Sequence, residues 1–154
     1  MAGVGGFAAR HRRIGIDTSV FIYHLEDVAE YRAAADAVLE SVLRGTVAGV
    51  TSVLTLVELT VKPHSLGRWD IVNQYTSVLL GWPNLALLTI DLGTARRATA
   101  LRARHRLRTV DALQIAAALE SGATGFVSND RQLRSVTELE VLLLSDMDQS
   151  LEQP

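Results

Sequence analysis

Apolar positions along the chain fall into short runs of four to seven residues, separated by longer stretches of helical spacing. Arg13 to Asp17 (RIGID) is short, rich in isoleucine and ends on a carboxylate, so it reads as a strand. Ser19 to Leu25 then starts a helix, with Thr18 or Ser19 as its cap. Glu30 to Leu43 has apolar residues at helical spacing, and Gly45 follows as a stop. Val47 to Val50 is a second strand. Thr51 or Ser52 caps a helix running from Val53 to Val61, and Pro63 closes it. Gly67 to Leu80 is amphipathic, with Trp69, Ile71, Val72, Tyr75, Val78 and Leu79 on its apolar side. Asn84 to Ile90 reads as a strand ending at Asp91, and Leu92 to Arg106 as a helix. Thr109 caps the helix from Val110 to Glu120, which Gly122 terminates. Gly125 to Ser128 is a short buried strand followed by Asn129 and Asp130, and Glu140 to Leu144 is the last strand. Strands alternating with helices predict an α/β fold: a central, mostly parallel sheet with helices on both faces.

With 154 residues, the chain has room for one core. The predicted domain spans 13–146. Residues 1–12 are expected to form a flexible N-terminal tail, and 147–154, with Asp148 and Glu152, a polar C-terminal tail. No run approaches the roughly 18 apolar residues of a membrane span, and the start lacks the charged region and apolar core of a signal peptide. A cytoplasmic protein is the expectation.

Four acids stand where acids are costly. Asp17 sits between Ile14–Gly15–Ile16 and Val20–Phe21–Ile22, Glu58 within LTLVELTV, Asp111 within TVDALQIAAAL, and Asp130 just after Phe126–Val127–Ser128. Taking an ionised carboxylate out of water costs several kcal/mol unless something compensates it. Asp17 and Asp130 follow strands, which places them at the C-terminal edge of the sheet, where sites form in open α/β folds. Asp111 lies in a helix's first turn and Glu58 in mid-helix. Each has a plainer account: turn or cap chemistry for Asp17 and Asp130, the helix dipole for Asp111, an exposed rim position for Glu58. Four acids near one sheet edge favour a shared site.

Clustered carboxylates repel, so a proton or a cation must sit among them. All-oxygen donors suit Mg²⁺ or Mn²⁺, one or two ions. Cysteine is absent, and the four histidines (11, 24, 64 and 105) lack ligand spacing, which argues against zinc. Two hard cations that activate water and stabilise a leaving oxygen make a phosphodiesterase. The net charge of −2 argues against a nucleic-acid binder for the bare chain. Bound divalent ions would reverse that balance.

The segments IGIDTSVFIYHLE (14–26), TSVLTLVELTVKP (51–63), RTVDALQIAAAL (108–119) and GFVSNDRQL (125–133) resemble, in order and spacing, the four motif regions of the PIN domain. More narrowly, they resemble toxin ribonucleases of the VapC type. The resemblance implies a single PIN-like domain in which Asp17, Glu58, Asp111 and Asp130 are metal-coordinating catalytic acids. Ser128 matches a hydroxyl that supports the site by hydrogen bonding, and Ser19 matches a Ser or Asn beside the first Asp. Asn129 receives no role. Implied too are hydrolysis of single-stranded or loop RNA leaving a 3′-hydroxyl, a cognate antitoxin and a homodimer.

The stretch from Arg96 to Arg108 contains arginines 96, 97, 102, 104, 106 and 108, with His105 and no acid. Arg97 and Arg104 share a helix face. With Arg108, they are candidates for RNA phosphate contact, and a solvated face, an antitoxin contact or a dimer surface is the alternative. Asp91 is read as a helix cap. Trp69, Tyr75 and Trp82 are base-stacking candidates that also suit a core or dimer contact, and Tyr23 and His24 are candidates for lining a substrate groove. Two rival function classes remain. A phosphoacceptor domain needs a late lysine, and the only lysine is Lys62. A catalytically silent PIN-fold interaction module would be expected to lose acids, and all four are present.

Overall fold

The computed structural model describes residues 3–147. Most of the expected polar C-terminal tail, 148–154, falls outside the described residues. Five parallel strands, β1 (Arg13–Ile16), β2 (Ala48–Ser52), β3 (Leu85–Leu88), β4 (Gly125–Ser128) and β5 (Glu140–Leu143), form one sheet in the order β3-β2-β1-β4-β5. The order reverses direction between β1 and β4. In open α/β sheets such a switch point leaves a crevice beyond the strand C-termini.

Among the described residues seven helices cover the sheet: α1 (Val4–Arg10), α2 (Thr18–Leu25), α3 (Arg32–Leu43), α4 (Val53–Ser65), α5 (Trp69–Gly81), α6 (Leu92–His105) and α7 (Thr109–Glu120). Strand alternation divides the core in two. Ile14, Ile16 and Val127 pack with Phe7, Val20, Phe21, Val38 and Leu39 on one side, where α1 to α5 contribute. Val50 and Phe126 pack with Leu101, Ala112, Ile115, Ala116 and Ala118 on the other, beneath α6 and α7. Gly15 faces α7 at a close approach: a Cβ there would lie 2.5 Å from Phe126 Cδ2 and 2.7 Å from the Ala118 Cβ. Small residues on both elements let α7 press on β1 and bring its first turn to the sheet's C-terminal edge.

The α/β architecture is the expected one, and the ends of its elements need correction. The N-terminal stretch expected to be a loose tail is a helix with buried Val4, Phe7 and Ala8. Its i, i+3, i+4 apolar triplet fills less than two turns, too short for a periodic signal, and Gly5 and Gly6 hide it further. Phe7 lies over the start of β4, where a Cβ on Gly125 would come 2.7 Å from its ring. Pro63 does not close α4, which continues to Ser65. Proline removes one N–H donor but keeps its carbonyl, which accepts from Arg68 N at 2.9 Å, and its ring is buried. Asp17, rather than Thr18 or Ser19, caps α2, and Arg108 occupies the cap position of α7 expected for Thr109. Ser52 caps α4 and Asp91 caps α6, both within expectation.

Candidate active site

At the switch point the four acids line one cavity of about 270 Å³, together with Ser19, Tyr23, Arg108 and Asn129. Each arrives by a different route. Asp17 is the first residue beyond β1 and caps α2, accepting from Thr18 N at 2.9 Å. Asp130 stands two residues beyond β4 and caps a 3-10 turn, accepting from Gln132 N at 3.0 Å. Both acids therefore have the cap roles of the plain reading and also face the cavity. Asp111 is in the first turn of α7, with only 7% of its surface exposed. Glu58 lies on an exposed part of α4, at the rim, and Asp17 and Asp130 are half-buried, so the burial expected for all four acids holds in full only for Asp111. Its Oε1 accepts from Thr18 Oγ1 at 2.8 Å.

Ser128 ties the strand ends together. Its hydroxyl donates to Asp17 Oδ2 at 2.6 Å and accepts from Asp130 N at 3.1 Å. Burial pushes the Asp17 carboxyl up to about 6; bonds from Ser128 and Thr18 N oppose this, and the charges of Asp111 and Glu58 add to it. Among the described residues only Arg108 sets a cation against the acids. Its Nε donates to Asp111 Oδ2 at 2.8 Å, and its Nη2 lies 3.9 Å from Asp130 Oδ2. Its side chain is 73% exposed, so solvent screens the pairing.

Among the described residues the acids do not close into a ready three-ligand cage. Their chemistry nonetheless fits a hard divalent cation: the donors are all oxygen, and Asp17 is held in a setting that disfavours its charge without a counter-ion. Ser19 Oγ, on the same cavity wall, is buried with no hydrogen-bond partner.

The remaining candidates divide. Arg97 pairs with Glu120 at 2.6 Å and Arg104 with Glu138 at 2.9 Å, and neither lines the cavity. Glu120 ends α7, about 13 Å along the axis from Asp111 at 1.5 Å per residue, so Arg97 stands at the far end from the acids. Asp91 accepts from Thr94 N and Oγ1 at 2.8 and 2.9 Å and stays outside the cavity. Tyr23 lines it, whereas His24 turns to Asp36 at 2.6 Å. Trp82 donates to Leu39 O, Tyr75 packs on the core, and Trp69 lies exposed against His64. Asn129, given no role from sequence, donates to Tyr23 Oη at 3.1 Å and accepts from Ser145 N at 2.9 Å, holding the cavity's far wall. Sequence reading also missed Thr18, Thr55 and Gln114, whose polar groups lie buried behind Glu58. The available signal was polar residues inside apolar helical runs.

The chain matches the family model of the PIN domain over residues 14–139 and belongs to that family. Solved structures of similar fold include VapBC2 from Rickettsia felis bound to a fragment of promoter DNA, at 14% identity and a TM-score of 0.68, covering 85% of this chain and 98% of that one. FitAcB from Neisseria gonorrhoeae aligns at 19% identity and TM-score 0.63, covering 87% and 99%. VapBC-5 from Mycobacterium tuberculosis, of a toxin–antitoxin family, aligns at 23% and 0.56, covering 86% and 98%. A comparison with curated protein sequences finds no match. Among the described residues no helix is long and apolar enough to cross a membrane.

Proposed function

We propose that the protein is a Mg²⁺- or Mn²⁺-dependent endoribonuclease and the toxin of a toxin–antitoxin pair. The observation that carries the reading is the convergence of Asp17, Glu58, Asp111 and Asp130, from four distant segments, on one cavity at the sheet's switch point. These carboxylates would hold one or two ions, with Ser128 fixing Asp17 and Thr18 fixing Glu58. A bound divalent cation supplies acidity to an attacking water and positive charge to phosphodiester oxygens. Ionised Asp17 is the form that binds a cation, so binding competes with its protonation below about pH 6. The Arg108 guanidinium, exposed on the cavity rim, would take the RNA phosphate once the acids have their counter-ion. Arg104, near the α7 N-terminus, would extend that basic rim, with Arg97 more remote. Ser19 Oγ is a free donor for a ligand in the cavity.

The PIN family match supports the nuclease class, and the VapBC likeness in fold supports an antitoxin partner. A homodimer and a cytoplasmic setting belong to the same proposal. The purified protein should degrade RNA with Mg²⁺ or Mn²⁺ and stop in EDTA. Undiminished RNA cleavage by the Asp17→Asn variant in EDTA, at the rate the wild type shows with metal, would sink the assignment.

A further inference from the structure

We infer that Gln114 is a positioning residue, which acts through the Thr18 hydroxyl to hold Glu58 toward the cavity. The inference rests on the metal reading above. Gln114 lies one turn beyond Asp111 on α7, 4% exposed, and its amide enters a buried cluster of hydroxyls. Ser52 Oγ donates to Gln114 Oε1 at 2.6 Å, which fixes the outer end of the amide. The Nε2 then donates to Thr55 Oγ1 at 2.8 Å and to Thr18 Oγ1 at 3.3 Å. Thr51 uses its single proton on Ile16 O at 2.9 Å, so the 2.7 Å contact between Thr51 and Thr55 must carry the proton of Thr55. Turning the amide over would make Thr55 donate to Gln114 Oε1 and leave that 2.7 Å contact with no proton between two oxygens. The orientation of the amide follows from its neighbours.

Thr18 Oγ1 therefore receives an amide hydrogen from behind and has its own proton to give. The Thr55 oxygen, 3.1 Å away, already accepts from Gln114, whereas Glu58 Oε1 at 2.8 Å is a carboxylate. The charged acceptor wins, and the bond from Gln114 polarises the hydroxyl that reaches it. Glu58 is the exposed acid, and among the described residues Thr18 makes the one hydrogen bond to its carboxylate. A fully buried chain from β2 through α7 to α2 supplies the direction its own surroundings lack.

The test is calorimetric titration of the metal-stripped full chain with MnCl₂. Thr18→Val and Gln114→Met should each weaken binding by roughly tenfold, the scale on which losing a ligand's supporting hydrogen bond is felt. Thr18→Ser keeps the hydroxyl and should stay near wild type. In the Thr18→Val background, adding Gln114→Met should change nothing further, because the path is already cut. A folded Gln114→Met variant with wild-type affinity, or losses that multiply in the double variant, overturns the inference and leaves the metal reading intact. Absence of Mn²⁺ binding by the wild type overturns both. If circular dichroism shows that Gln114→Met does not fold, Gln114→Asn, one methylene too short to reach Thr18 from the same backbone position, should weaken binding in the same Thr18-dependent way; unchanged affinity there also refutes the inference.

Discussion

At the N-terminal edge of the sheet, Glu140 at the start of β5 meets Arg10 and His11, whose Nε2 is 2.8 Å from it and whose Nδ1 is 2.7 Å from Thr124 Oγ1. At the C-terminal edge, four carboxylates meet one exposed guanidinium. Their acids respond in opposite directions. The bond from Arg10 holds the Glu140 carboxyl below its usual range, with burial opposing and His11 assisting, whereas burial drives Asp17 up to about 6. Charge that is matched pins one element to another, here α1 to β5. Charge left unmatched in a buried crevice costs folding energy and is kept where a ligand completes it.

The largest expected effect tests that contrast directly. Asp17→Asn and Asp111→Asn should abolish metal-dependent RNA cleavage in a fluorogenic assay. Without metal, Asp17→Asn should also raise the Tm, by about 2–5 °C, because an uncompensated charge is gone. Glu140→Gln should do the reverse, lowering Tm with activity retained. A Tm lowered by both would erase the distinction between the two edges.

Next comes the docking of α1. Phe7 is buried against the start of β4, so Phe7→Ala should cost about 3–5 kcal/mol in urea unfolding. A loss near zero would return residues 1–12 to a loose tail.

The pH dependence of metal-free stability is third. Asp17 has a folded value near 6, above its ordinary 3.8, so the folded state takes up a proton first and stability rises as pH falls from 7 toward 4. Glu138 runs the other way. Burial pushes its carboxyl up, but bonds from His105, the backbone and Arg104 outweigh this and hold it at about 2. Its contribution is complete above its ordinary 4.5 and is lost as pH falls toward 2. Tm against pH should therefore pass through a maximum between about 4 and 6, with Asp17→Asn flattening the neutral limb and Glu138→Gln the acid one.

The smallest effect concerns the arginines. Arg108→Ala should reduce the slope of log affinity against log salt for RNA by about 1, read by fluorescence anisotropy. Arg97→Ala, whose guanidinium is held by Glu120 away from the acids, should leave the slope near wild type.

The strands and most helices were legible because short apolar runs and 3.6-residue periodicity leave a direct trace in sequence. The four acids were legible from their apolar neighbourhoods in sequence, although Glu58 stands exposed, where charge costs little. Asp17 and Asp130 also follow strands, so the parallel-sheet reading already set them on one edge. What did not show was compensation at a distance. Arg97 and Arg104 share a helix face with free charge in sequence, yet Glu120 and Glu138, from other elements, hold them. Phe7 reads as one aromatic among glycines until β4 lies beneath it. Gln114 reads as a polar lapse in an alanine-rich helix until Ser52, Thr55 and Thr18 surround it. Long-range pairing of this kind has no periodicity to betray it.

Gly15 contributes nothing to the cavity, two residues before the first acid, yet it sets how closely α7 approaches β1. Because β1 offers α7 no side chain at that point, the helix settles directly on the strand, and Asp111 rides on that helix while Asp17 rides on the strand. The spacing between the strand that carries one acid and the helix that carries the other is thus a layer thickness, set at Gly15 by an absent methyl group. Gly15→Ala would act as a shim, tilting α7 outward and carrying one acid away from the other without touching either.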